Sequence, residues 1–288
     1  MIAAFLGVAF AAQLPAQASS TGAGSVIVEK NVLYGSVNGS DLRLDVYEPN
    51  GHRDETHPAI VLIHGGGWIS FDKSTMARMG EFLARFGFVA FAVDYRLFQG
   101  NQNRWPAQLD DVQRAVRWVR ANGSKYGANS DRVGAFGHSA GAQLAALLGM
   151  EETRENSDSG LAKYSSKVQA VVEVSGPTDF TTDHDADGDA FLANFLGGDF
   201  STHPELWREA SPVFHVSKGD APFLIVHGTQ DQDVPISQAE ELLEKLKSAG
   251  VPASLIRVND VHTFQTPEAH RQMAIETLAF FNRYLARP

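Results

Sequence analysis

Gly137-His138-Ser139-Ala140-Gly141 limits what this chain can fold into more than any other stretch. It fits a G-x-S-x-G pattern, in which a strand turns sharply into a helix with the serine at the apex. The apex backbone is strained, and side chains two residues to either side would collide, so glycine stands at both places. The flanks suit that geometry. Arg132-Val133-Gly134-Ala135-Phe136 reads as a short buried strand, and Ala140 to Met150 as a small-residue helix with Leu144, Leu147 and Leu148 on one side.

The rest of the chain repeats the same alternation. Val26 to Tyr34 and Leu42 to Tyr47 read as strands joined by the hairpin signal Asn38-Gly39. Leu42, Leu44 and Val46 alternate with Arg43 and Asp45, which predicts one solvated face. Ala59 to Ile63, Phe88 to Val93, Val168 to Val174, Pro222 to Val226 and Ala253 to Val258 are short apolar runs. Such runs suit strands buried on both faces of a parallel sheet. Helical patterns lie between them: Ser74 to Phe86, the stretch after Pro106 with Leu109, Val112, Val116 and Val119, the stretch after Pro235, and the stretch after Thr266-Pro267. The expectation is an α/β fold with a mostly parallel eight-stranded sheet and helices on both faces. Residues 176–219 lack a clean strand and are too long for a plain loop. They read as a small cap-like insertion, with short helices around Ala190 to Leu196 and Pro204 to Glu209.

Composition narrows the function. With 288 residues, 43% of them hydrophobic, the chain can bury a sizeable core. The net charge is −10 with Lys and Arg scattered, so no basic patch suits nucleic acid. There is no cysteine, which excludes disulfides, thiolate nucleophiles and thiolate metal sites. Ile2 to Ala12 is an apolar run too short to span a bilayer as a helix. Ala16-Gln17-Ala18 follows as a small-residue cleavage pattern, although no Lys or Arg precedes the run. Residues 1–18 therefore read as a secretory signal, leaving 19–288 as one domain in a secreted or periplasmic protein.

A serine hydroxyl needs a base to take its proton and an acid to orient that base. His262 stands just beyond the strand ending at Val258, and Asp231 just beyond the strand ending at Val226. Asp233 competes for the acid role, but it is further from the strand end and beside Val234-Pro235. Negative charge developing on a carbonyl oxygen also needs waiting N–H donors. His64-Gly65-Gly66-Gly67 leaves the backbone uncovered after a buried strand. Gly66 and Gly67, with Ala140 directly after the serine, are the candidate donors.

These residues resemble the α/β-hydrolase esterases that carry an HGGG motif, the hormone-sensitive-lipase-like group. The likeness is greatest to the bacterial feruloyl- and acetylxylan-esterase-like family. It rests on His64-Gly65-Gly66-Gly67-Trp68, Asp94-Tyr95-Arg96-Leu97, Trp105-Pro106-Ala107-Gln108-Leu109-Asp110-Asp111, Gly137 to Gly141, Ser175-Gly176-Pro177-Thr178-Asp179 and His227-Gly228-Thr229-Gln230-Asp231. It covers almost everything from Val32 onward. It implies an α/β-hydrolase fold, a triad of Ser139, Asp231 and His262, an acyl-enzyme intermediate and no cofactor. Relatives often have glycine beside the histidine, where this chain has Val261-His262-Thr263-Phe264. The implied substrate is a short-chain or aryl ester, free or linked to plant polysaccharide, with feruloyl and acetyl esters foremost. A kynurenine-formamidase-like amide hydrolase is the alternative with the same fold and triad. A binding protein that has lost its chemistry would often lack the serine or the histidine, and both are present.

Other residues invite a site reading. Trp68, Phe71, Trp105 and Pro177 follow site motifs and are candidates to line a substrate pocket. Asp94 and Arg96 are expected to pair with each other under the site. His138 is expected to point away from the serine. Asp183, Asp185 and Asp187 begin a calcium-like loop, but its twelfth place is Asn194 rather than a bidentate glutamate, which favours a solvated acidic loop.

Overall fold

Asn38 and Gly39, at φ 50° and 81°, close a two-residue hairpin in a computed structural model of the chain. The structure describes residues 25–50, 56–152, 158–182 and 186–286, without the side chains of 186–188. The expected signal, Asp183 and Asp185 lie outside the described residues, as does the Asp187 side chain. The hairpin joins β1 (Val26–Val37) to β2 (Ser40–Pro49). The remaining strands are β3 (His57–Ile63), β4 (Val89–Val93), β5 (Ala128–His138), β6 (Ala170–Val174), β7 (Phe223–Gly228) and β8 (Ala253–Val258). They form one eight-stranded sheet in the order β1-β2-β4-β3-β5-β6-β7-β8. β2 is antiparallel to β1 and β4, and every later pairing is parallel.

The helices are α1 (Ala77–Arg85), α2 (Ala107–Asn122), α3 (Ala140–Met150), α4 (Ala186–Leu196), α5 (Pro204–Ala210), α6 (Ile236–Ser248) and α7 (Pro267–Leu285). Strand side chains alternate between two cores. Val61, Ile63, Phe91 and Ile225 pack with Leu109, Leu144 and Leu242 of α2, α3 and α6. Ile60, Leu62, Ala90 and Val172 pack with Leu83 of α1 and Phe281 and Leu285 of α7. Burying both faces explains why these strands read as continuous apolar runs.

Two local expectations are corrected. The second face of β2 is solvated at Arg43, as expected, but covered beyond it: Asp45 is 4% and Tyr47 1% exposed. α1 lies so close that a Cβ on Gly80 would meet the Tyr47 ring. Asp45 Oδ1 accepts the Asn31 amide N–H at 2.8 Å where β1 bulges. The stretch from Lys73 begins as a 3-10 turn, Lys73–Met76, capped by Asp72 accepting from the Ser74 amide, before α1 proper starts.

Topology places the site. From β3 the chain crosses to β4 on one side, whereas β5 leads on to β6 on the other. The carboxyl ends of β3 and β5 are adjacent, and loops that diverge there leave a crevice. α4 and α5 lie within residues 176–219, and their Phe195 and Trp207 are buried in the same core as α2 and α3. No helix among the described residues is long and apolar enough to cross a membrane.

Candidate active site

Ser139 takes φ 56° and ψ −124° between β5 and α3, a conformation that costs a non-glycine residue about 1–3 kcal/mol. Its amide donates to the Val174 carbonyl at 2.8 Å, so the neighbouring strand holds the turn in place. A Cβ on Gly137 would overlap the Gly141 carbonyl, and one on Gly141 would overlap the Ile63 carbonyl. Both obstacles are backbone and cannot rotate away. Gly137→Ala is therefore expected to destabilise the fold by about 3 kcal/mol, read from chemical denaturation. A loss below about 1 kcal/mol would contradict this packing.

His262 Nε2 lies 2.9 Å from Ser139 Oγ, and His262 Nδ1 lies 2.7 Å from Asp231 Oδ2. An ionised carboxylate only accepts, so Nδ1 carries the proton and Nε2 is left to accept from the serine hydroxyl. The Asp231 side chain is fully buried. Its Oδ1 accepts the Asp233 and Val234 amides at 3.0 and 2.9 Å. Burial opposes its charge, but hydrogen bonds from His227 and His262 outweigh that and hold the carboxyl well below its usual range. Asp233 is exposed. One of its carboxylate oxygens lies within 4.8 Å of Asp231 and His262, yet it is Asp231 that bonds the imidazole.

The loop carrying His262 is tied by a residue the sequence reading missed. Asp260 is 5% exposed. Its carboxylate accepts the Val261, Gln265 and Thr266 amides and the Thr266 hydroxyl, at 2.8, 3.0, 2.9 and 2.7 Å. Burial works against the charge; the Thr266 contacts outweigh it, and the carboxyl is held down at about 2. The signal was an acid two residues before the histidine and six before the Thr266 cap of α7. His138, expected to point away from the serine, donates from Nε2 to the His262 carbonyl at 3.1 Å. Desolvation, with His262 second, pushes its pKa down to about 4, so it stays neutral at pH 7.

On the other side of Ser139 runs the glycine loop. His64 stacks on Tyr95 with centroids 4.3 Å apart, and the Tyr95 hydroxyl donates to the His64 carbonyl at 3.0 Å. A Cβ on Gly65 would come within 3.1 Å of Ser139 Cβ, so the loop runs directly against the serine. Gly66 and Gly67 have φ 107° and 58°. The Gly66 carbonyl accepts the Ile69 and Ser70 amides and the Ser70 hydroxyl, which fixes the loop by its carbonyl side. The N–H groups of Gly66, Gly67 and Ala140 have no acceptor among the described residues. They are the candidate donors for an oxyanion.

The four expected pocket residues separate. Trp68 and Trp105 are 5% and 6% exposed. Trp68 stacks on Phe195 at 4.7 Å, and its Nε1 donates to Gln143 Oε1 at 3.2 Å. Trp105 meets the same Phe195 edge-on. Both are buried against α4. Phe71 is 46% exposed and Pro177 is half-buried. The expected Asp94–Arg96 pair is corrected: Asp94 pairs with Lys73 at 2.7 Å, and Arg96 forks onto Asp111 of α2 at 2.8 Å. A largely apolar cavity between α1 and α7 reaches His138 and Phe264 from behind, lined by none of these four.

The arrangement sets a hydroxyl against an imidazole and beside free backbone donors, the groups that acyl transfer requires. Comparison with known proteins agrees. The BD-FAE family profile matches residues 44–246. Esterase LipC of Mycobacterium tuberculosis is 31% identical over 226 residues, 76% of this chain and 55% of LipC. The chain spans about half the length of the curated relatives it matches. The esterase Est2 of Thermogutta terrifontis superposes with a TM-score of 0.77 at 26% identity, covering 91% of this chain and 92% of Est2. Est2 is also known bound to propionate and to butyrate. A truncated carbohydrate esterase from gut microbiota superposes with a TM-score of 0.78 at 27% identity, covering 92% of this chain and 98% of that one. Family profile, fold and motif order coincide over the same residues, and the chain belongs to the BD-FAE family of α/β-hydrolases.

Proposed function

We propose that the protein is a serine carboxylic ester hydrolase in which Ser139, His262 and Asp231 form the catalytic triad. The observation that carries this is the unbroken line of hydrogen bonds from Ser139 through His262 to Asp231, at 2.9 and 2.7 Å. His262 takes the serine proton as Oγ attacks the ester carbonyl. Asp231, buried and ionised, holds the imidazole and stabilises its positive charge. Gly66, Gly67 and Ala140 donate to the oxyanion. The alcohol leaves with the proton from His262, giving an acyl-enzyme. A water activated by the same His262 then releases the acid. Each step uses only this chain's groups and water.

The proposed substrates are short-chain or aryl esters, with feruloyl or acetyl esters of plant polysaccharide as the natural class. Two observations support this. Est2, similar over its whole length, binds propionate and butyrate, and a second structural relative is a carbohydrate esterase. On this chain, Phe195 and Leu196 of α4 are 0% and 3% exposed, so they are not available as the broad apolar face an interfacial lid needs. With Trp68 and Trp105 packed, Phe71 is the aromatic left to meet an aryl group. On the sequence of residues 1–18, the enzyme is proposed to be exported.

The test is kcat/KM across p-nitrophenyl acetate, butyrate, octanoate and palmitate, with methyl ferulate and N-formylkynurenine alongside. Acetate or butyrate is expected to lead, with palmitate lower by roughly tenfold or more. A maximum at palmitate would overturn the chain-length reading. Preference for N-formylkynurenine would replace ester with formamide hydrolysis.

A further inference from the structure

His227, in the last residues of β7, is fully buried. Its Nε2 lies 2.9 Å from the Val234 carbonyl oxygen and 3.3 Å from Asp231 Oδ2. Both oxygens only accept, so Nε2 carries a proton; it donates to the Val234 carbonyl and faces Asp231 Oδ2. Asp231 Oδ2 thus lies against two imidazole N–H groups, bonded by that of His262 and faced by that of His227. Behind His227 stands a second buried group. Glu173 of β6 is 0% exposed. One of its carboxylate oxygens accepts the Gly176 amide. The other, like His227 Nδ1, has no hydrogen-bond partner among the described residues. The β6–β7 register pairs Glu173 with Ile225, which sets His227 two residues along on the same face of the sheet. That diagonal is within reach of a long side chain.

The two groups lean on each other. Burial pushes the Glu173 carboxyl up to about 7, while the charge of His227 pulls it down. Burial works against a proton on His227, but Asp231 and Glu173 outweigh it and raise its pKa. The titratable groups acting on His227 are Asp231 in its own loop, Glu173 on β6 and His138 at the end of β5. His262, on the loop after β8, meets it through Asp231. On α6 the buried polar side chain is the neutral Gln238, whose Oε1 accepts the Thr178 and Asp179 amides.

We propose that His227 is a positioning residue for the Asp231 carboxylate, with Glu173 as its buried counter-group. The line Ser139–His262–Asp231 then continues into the sheet as His227–Glu173. This rests on the ester-hydrolase reading above. With the Asp233 and Val234 amides on Oδ1 and His227 on Oδ2, the carboxylate can offer His262 one orientation only. The second donor on Oδ2 also draws charge away from His262. Without it, the full charge of Asp231 falls on the imidazole, which holds its proton more tightly and must be freed at higher pH.

The experiment records the pH dependence of kcat/KM for p-nitrophenyl acetate, with separate kcat, KM and Tm, in wild type, His227→Leu, His227→Gln and Glu173→Gln. Ser139→Ala sets the baseline. His227→Leu is expected to move the acid limb up by about one pH unit, the size of one lost hydrogen bond to a charged group, and to lower kcat with KM unchanged. His227→Gln keeps an N–H donor and is expected to return the limb to near its wild-type position. Glu173→Gln removes the buried carboxylate that helps His227 hold its proton, and is expected to move the limb the same way by a smaller amount. A limb that stays put in His227→Leu while Tm falls, or that moves equally in His227→Gln, would make His227 a packing residue and overturn the proposal. Should His227→Leu fail to fold, an unmoved limb in Glu173→Gln overturns it instead. Turnover that survives Ser139→Ala is a different failure: it removes the ester-hydrolase reading itself.

Discussion

Ser139→Ala is expected to lower kcat on a short ester by roughly 10⁶-fold while leaving the Tm within a few degrees of wild type. Serine and histidine act as one unit, so removing either forfeits nearly the whole contribution of the triad. The residue is half-buried at the mouth of the crevice, and alanine tolerates the positive φ no worse than serine. Free backbone donors at Gly66, Gly67 and Ala140 remain, and they account for what turnover is left. His262→Ala is expected to match it. Stopped-assay rates on purified variants check both. A loss of tenfold or less in Ser139→Ala would move the nucleophile elsewhere.

Asp231→Asn is expected to cost about 10⁴-fold in kcat, and Asp233→Asn far less. Either way round, an asparagine NH2 would meet N–H groups: His262 Nδ1, with His227 Nε2 beside it, on one side, or the Asp233 and Val234 amides on the other. Turned towards His262, it favours the tautomer that places the imidazole proton towards Ser139, which cannot serve as a base. Asp233 is exposed, and what it gives Asp231 is its backbone amide at 3.0 Å, which the substitution leaves in place. The reverse ranking of the two variants would transfer the acid role to Asp233.

What was legible in the sequence follows from which forces are local. Strands buried on both faces must be apolar throughout, so Ala59 to Ile63 and Phe88 to Val93 announced themselves. The elbow was legible because only glycine fits beside the backbone at 137 and 141. Asp231 and His262 were legible because each follows a strand end. Illegible were the groups whose partners arrive from far along the chain. Trp68 and Trp105 followed site motifs, yet both are buried against Phe195, 127 and 90 residues later. Arg96 stands near Asp94 in sequence, but the guanidinium fork finds Asp111 because α2 folds back over it. Asp260, His227 and Glu173 carry no periodicity and look like ordinary polar residues. Their meaning lies in burial, which only the assembled sheet and loops create. The covered part of β2 is the same lesson: Arg43 stays solvated, but the β1 bulge bonds Asp45 and α1 closes over Tyr47.

The central claim is that Ser139 is the nucleophile of an acyl-enzyme. The most direct measurement is mass spectrometry of the full chain, acid-quenched during turnover of p-nitrophenyl butyrate and in parallel after treatment with an organophosphate ester, with peptide mapping of any adduct. The expected result is one adduct per chain in each case, on the peptide containing Ser139, absent from Ser139→Ala and strongly reduced in His262→Ala. An adduct on another residue, or hydrolysis at the wild-type rate with Ser139 unmodified by either reagent, would contradict it.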